Sequence, residues 1–191
     1  MGGRYAKKVL VAGLLGGIVL VVWTFVVNGV LGFNRSINMK QVPNERQVYT
    51  VLKENIVKPG KYVCNPELTL ARTFPDEEPA FSIQYGGTGH GSAGVGMLVG
   101  LASFFLAPTI GTWMLSTTSA PNGSSYPRKV FFFTAIGLSL VIVGDLGKFG
   151  PGGYPSSDVL TLAVHDVVAW TFVGLVVAWR IKPEPGSVMD S

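Results

Sequence analysis

The chain has 191 residues, 48% of them apolar and 14% charged, with a formal net charge of +4 and a mean hydropathy of +0.40. Charged residues make up about 25% of an ordinary soluble domain, and a disordered chain needs more charge and less apolar content, so both classes are excluded. No Lys, Arg, Asp or Glu occurs from Val9 to Asn34 or from Ala80 to Pro127; a membrane helix needs about 20 mostly apolar residues, and the chain reads as multi-spanning.

The first span is expected at about Val9–Leu31, within an N-terminal unit 1–31. Arg4, Lys7 and Lys8 give it the basic start of a signal peptide. Its apolar run exceeds the roughly 7–15 residues of a signal core, and no A-x-A site follows. The expectation is an uncleaved signal anchor. Gly13-x-x-x-Gly17 lets another helix approach closely.

Residues 32–92 form a hydrophilic insertion. Asn44 with Gln47 three residues later suggests a weak capping box. Val48, Val51, Leu52 and Ile56 then share one helical face, and Pro59-Gly60 ends the helix. Short strands are expected at Lys61–Cys64, Leu68–Arg72 and Ala80–Tyr85, giving a small α+β cap. Such a cap buries little area alone and should lean on the bundle or a partner. Cys64 is the only cysteine, so the chain forms no internal disulfide; it is expected as a half-buried small residue. Asp76-Glu77-Glu78 reads as a solvated loop. Gly87-x-Gly89-x-Gly91 resembles a phosphate loop only superficially, because an apolar span follows where a nucleotide fold needs a soluble βαβ unit.

Residues 93–182 hold the other three spans, at about Ala93–Thr118, Lys129–Leu146 and Asp158–Ile181, the middle one marginal in length. In the second, Gly96-x-x-x-Gly100 and Ala107-x-x-x-Gly111 add small-residue seams, and Pro108 is expected to kink the helix. A Pro/Gly-rich tail, 183–191, follows. Basic residues at the short ends, Arg4, Lys7, Lys8, Arg128, Lys129, Arg180 and Lys182, against Lys148 alone in the short opposite loop, favour both termini in the cytoplasm. The insertion is then extracytoplasmic. No basic helix or aromatic–basic platform points to nucleic acid.

Ionisable residues inside a bilayer are costly and mark function or packing. His90, Asp145, Lys148, Asp158, His165 and Asp166 all fall toward the outer ends of the spans and are expected to form one intramembrane polar cluster. Asp158 is expected to cap the fourth helix, with Asp166 turned away from His165 by about 100°. Three readings are open: helix-to-helix hydrogen bonding, a proton path through Asp145, His165 and Asp166, or a single axial ligand from His165 to a haem or a chlorophyll-type pigment. The ligand count falls short for zinc, and no Ser-His-Asp or Cys-His set is placed for nucleophilic catalysis.

The segments GGIVLVVWTFVVNGVLGF and NERQVYTVLKENIVKPGKYVCNP carry a GGIV-x-x-x-W helix followed by NE-x-x-V-x-x-x-L-x-x-N-x-x-x-PG-x-Y. This pattern, over roughly Gly16–Pro66, resembles a group of bacterial four-helix inner-membrane proteins. The resemblance implies a bacterial inner-membrane origin and this topology, and no activity. The expected fold is therefore mainly α and integral to the membrane: four transmembrane helices with a small α+β extracytoplasmic insertion between the first two. The expected role is a non-catalytic accessory subunit of a multi-subunit respiratory or photosynthetic complex, with other integral membrane subunits and lipid as partners. A small proton-coupled transporter, or a pigment- or haem-binding subunit, is the alternative.

Overall fold

The computed structural model describes residues 3–64, 79–87, 89–118, 125–150 and 153–181, and at Arg4 and residues 90–92 the backbone alone. The strand expected at Leu68–Arg72, the acidic run Asp76-Glu77-Glu78 and the tail 183–191 lie outside these residues. The described chain is mainly helical, with four helices long and apolar enough to cross a membrane and one small two-stranded sheet.

Helix α1 spans Gly3–Phe25 and continues through a wide π-helical turn, Val26–Val30. Gly32, in the left-handed region at φ 66°, then turns the chain into the short α2, Phe33–Ile37. Helix α3, Glu45–Asn55, precedes strands β1, Gly60–Cys64, and β2, Phe81–Tyr85, which pair antiparallel with Tyr62 opposite Ile83. Helix α4 is Gly89–Thr117, α5 is Tyr126–Leu140, and α6 is Ser156–Arg180. A second π-helical turn, Val141–Asp145, and a tight turn, Leu146–Lys148, extend α5. With that extension the third span covers Tyr126–Lys148, so its length is no longer marginal.

Three expected local features differ. Asn44 precedes α3 in the left-handed region, φ 62°, and its side chain makes no capping bond; an Asn tolerates this conformation, which takes the side chain out of the capping position. Asp158 does not cap α6, because that helix starts two residues earlier, after Pro155. Cys64 is exposed at the end of β1, since the two-stranded sheet has no layer to bury it.

The core is built where small residues let helices touch. Ala12, Gly13, Gly16 and Gly17 lie along one face of α1 and are buried. A methyl group on Gly13 would meet Thr109 Cα at 2.5 Å, and one on Gly17 would meet Phe105 Cδ1 at 2.4 Å, so α1 and α4 are nearly in backbone contact there. Gly17 also faces the Phe104 carbonyl, 2.9 Å from such a methyl group. Pro108 lacks the N–H that would bond this carbonyl four residues back, and the glycine leaves it room. Helix α4 runs unbroken through Pro108.

Gly16 looks the other way. Its methyl position is 2.9 Å from Pro108 Cβ and 3.1 Å from Val173 Cγ1, wedging α1 between α4 and α6. Helices α5 and α6 interlock through two further glycines. Gly137 seats Trp170 Cβ at 2.8 Å, and Gly174 seats Phe133 Cβ at 3.0 Å. Phe133 stacks on Trp170 at 6.3 Å, and Thr134 and Thr171 hydroxyls bond across the pair at 3.0 Å. Gly111 of α4 closes on Phe133 Cε1 at 2.9 Å, and Ala107 packs beside it on the same core.

The Gly96/Gly100 pair behaves differently. Nothing lies within 4 Å of a methyl group on either, and residues 93–103 are exposed except for a half-buried Gly100. Over an 18-residue apolar stretch of each, only 6% of α4 is buried, against 33% of α1 and of α6. Closest approach at Gly13 and Gly17 fixes the C-terminal half of α4, and residues 93–103 lie exposed beyond it.

Gly17→Ala should therefore lower stability by roughly 1–3 kcal/mol through overpacking. Gly96→Ala should change it by less than about 0.5 kcal/mol. Unfolding of the purified protein in mild detergent, followed by circular dichroism, measures both.

Candidate functional site

The polar residues singled out from the sequence gather at the end of the bundle where α4 and α6 begin, but as separate pairs. Lys148 Nζ donates to Asp145 Oδ1 at 2.7 Å, Lys40 Nζ to Asp158 Oδ2 at 2.5 Å, and His165 Nδ1 lies 2.8 Å from Asp166 Oδ1. No hydrogen bond or ion pair among the described residues joins one pair to another. The expected single cluster is thus three local pairs, because each acid finds a base nearer than its fellow acids. His90 lies in the first turn of α4, and its side chain is outside the described residues. Among the described residues, no three His, Cys, Asp or Glu converge where a metal ion could sit.

The most constrained group is His165. Its ring stacks on Phe33 at 4.8 Å and 28° and lies 5.9 Å from Trp23, which meets Phe172 edge-on at 5.1 Å. Trp23 comes from the C-terminal end of α1 and Phe33 from the start of α2, past the Gly32 turn. Two helices therefore clasp a histidine of a third. Asp166 was expected to turn away, but it follows His165 directly and its short side chain bends back to Nδ1. That bond leaves the other ring nitrogen, Nε2, to any further partner. The Trp23 indole N–H is buried without a partner among the described residues.

Around this clasp runs a chain of amides. The Asn34 backbone N–H donates to Asn28 Oδ1 at 3.1 Å, Asn38 Nδ2 to Asn34 Oδ1 at 2.9 Å, and Tyr154 O–H to Asn38 Oδ1 at 2.8 Å. With the Lys40–Asp158 pair it ties α2 and the chain after it to the start of α6. Gly153 makes this possible: a methyl group there would sit 2.2 Å from the Lys148 carbonyl, so only glycine allows the turn that presents Tyr154. Trp23, Phe33, Asn38, Lys40 and Tyr154 were not legible from spacing, since their partners are more than 100 residues away. The one available signal was Asn28, Asn34 and Asn38 recurring at a span end.

Asp145 differs from the others. It is 2% exposed, and its Oδ2 has no partner among the described residues. It closes the wide turn Val141–Asp145, a geometry that recurs at functional positions. At the opposite end of the bundle, Lys129, 3% exposed, donates to the Ile181 carbonyl. It therefore caps the C-terminus of α6, where a cation suits the exposed carbonyls.

His165→Ala removes two ring contacts of about 0.5–1.5 kcal/mol each, so stability should fall by roughly 1–3 kcal/mol and Trp23 emission should change. Tyr154→Phe should cost about 1 kcal/mol and leave that emission as it is. Detergent unfolding with tryptophan fluorescence separates the two.

No protein-family model, curated protein or solved structure matches the chain.

Proposed function

We propose that the protein is a non-catalytic accessory subunit of a multi-subunit complex in a bacterial inner membrane, with both termini cytoplasmic and the insertion outside. A bioenergetic assembly, respiratory or photosynthetic, is the host this reading favours. One observation carries it: the outer half of α4, residues 93–103, is apolar, glycine-bearing and almost uncovered by its own chain. In lipid, helices associate by close van der Waals packing at small residues rather than by the hydrophobic effect. Gly96 and Gly100 leave a shallow face beside Val95, Val99 and Leu98 that a neighbouring helix can enter.

Gly100→Leu tests this, because a Cβ at Gly100 has no atom of the described residues within 4 Å and leaves the added side chain room on the open face. The variant should fold and melt like the parent and lose its co-purifying subunits in mild detergent. Retention of the same partners by Gly96→Leu and Gly100→Leu overturns the reading.

The clasped histidine supports a second reading, a haem or chlorophyll-type pigment ligated through His165 Nε2. An imidazole whose Nδ1 bonds a carboxylate is oriented as metal-binding histidines are, and Asp166 supplies that bond. An absorption spectrum of the native purified protein decides it: a band above the aromatic region, lost in His165→Ala, supports it, and a featureless spectrum removes it.

A further inference from the structure

We propose that α3 is an interfacial helix, with its exposed apolar face set into the headgroup boundary of an anionic bilayer surface. The proposal does not rest on the partner reading above.

The face comes from the sequence of the helix itself. At 3.6 residues per turn, Val48, Tyr49, Val51 and Leu52 form one stripe roughly 160° wide, and the rest of α3 is polar. Among the described residues this stripe is scarcely used. No residue of α3 is buried, and Val48, Tyr49 and Val51 are 39%, 62% and 53% exposed. Leu52 and Ile56 turn toward Ile83 and Tyr85 across an open groove of about 720 Å³. The flanking Met39, Val42 and Val57 are exposed as well.

The place of the helix comes from its tethers. Lys40–Asp158 and Asn38–Tyr154 pin the preceding segment to the first turn of α6, a helix of membrane-spanning length. Glu45 follows Lys40 by five residues, at most about 18 Å of extended chain. After the sheet, three residues, 86–88, lead from β2 into α4. Helix α4 starts at the same end of the bundle as α6, since α1 runs antiparallel to both: Gly13 meets Thr109 and Gly17 meets Phe105, while Gly16 meets Val173 and Trp23 meets His165. Both ends of the segment are thus held at the rim where the spans emerge.

The charge selects the kind of surface. Across the full insertion, 32–92, seven basic residues stand against six acidic ones, and four of those acids, Glu67, Asp76, Glu77 and Glu78, follow β1 in the chain; on and just after α3 itself Arg46, Lys53, Lys58 and Lys61 stand with Glu45 and Glu54. Arg46 and Lys53 stand one helical turn either side of Tyr49 and border the apolar stripe along that one edge, with Gln47 and Glu54 along the other. An apolar face with cations along one edge and a tyrosine between them fits a helix that lies in the membrane plane against anionic lipid.

Cysteine labelling of the full chain in vesicles tests this. In a Cys64→Ser background, Val48→Cys and Val51→Cys report the apolar face and Thr50→Cys the polar one, each carrying an environment-sensitive NBD probe. Vesicles of phosphatidylcholine with phosphatidylglycerol carry doxyl-labelled lipid as a shallow quencher. The expected result is quenching at 48 and 51 at least about twofold stronger than at 50. It should weaken in pure phosphatidylcholine and in the Arg46→Glu/Lys53→Glu double variant. Equal quenching at all three positions overturns the proposal. So does a blue-shifted probe at 48 and 51 that lipid does not quench, which places protein on the face instead. Quenching that ignores the anionic lipid overturns the charge selection. The melting temperature of each labelled variant confirms that the fold survives.

Discussion

The structure depends on one constraint: α1 must come within near-backbone contact of α4 while it also seats the Val173 and Val177 side chains of α6. Apolar side chains gain little by leaving lipid for one another, so spans of this kind hold together only where surfaces interlock. On α1 the interlocking surface is Ala12, Gly13, Gly16 and Gly17, with Gly13 and Gly17 turned to α4 and Gly16 shared with α6. A single methyl group at Gly17 already collides with Phe105. Helix α6 then carries α5 through the reciprocal fit of Gly137 under Trp170 and Gly174 under Phe133.

Everything at the end of the bundle where α4 and α6 begin follows from that contact. Once Gly16 sits on Val173, Trp23 reaches His165 two helical turns farther along, and the Gly32 turn folds Phe33 onto the other side of the ring. The asparagine chain and the Lys40–Asp158 pair continue the same docking into the start of the insertion. The histidine clasp is thus the continuation of the α1–α6 seam toward the start of α6. The same geometry leaves the N-terminal half of α4 bare, because that helix is fixed to α1 only from Phe105 and Thr109 onward.

The polar residues show how tertiary structure redistributes what a sequence groups together. Six ionisable residues share one membrane depth by sequence position, yet those described resolve into three short-range pairs. Asp145 takes Lys148 one turn away, Asp158 takes Lys40 from a distant segment, and Asp166 takes its own neighbour. Burial distinguishes them further: Asp145 keeps one oxygen buried and unpartnered, while Asp166 stays partly exposed. Depth along a helix is readable from residue number; azimuth and partner are not.

The sequence by itself determined four apolar helices, their order and the position of the hydrophilic insertion, because hydropathy over about 20 residues is a local property. It also marked Gly13, Gly17, Ala107 and Gly111 as packing positions, because small residues four apart share a face. The tertiary structure decided which of those faces meet. Gly96 and Gly100 have the same spacing and meet nothing among the described residues, whereas Gly16, Gly137 and Gly174 are packed tightly without having been marked. Contact depends on the crossing of two helices, and no single helix encodes where its crossing point falls. The clasp of His165 by Trp23 and Phe33 has the same origin: it needs three segments, and only the fold brings them together.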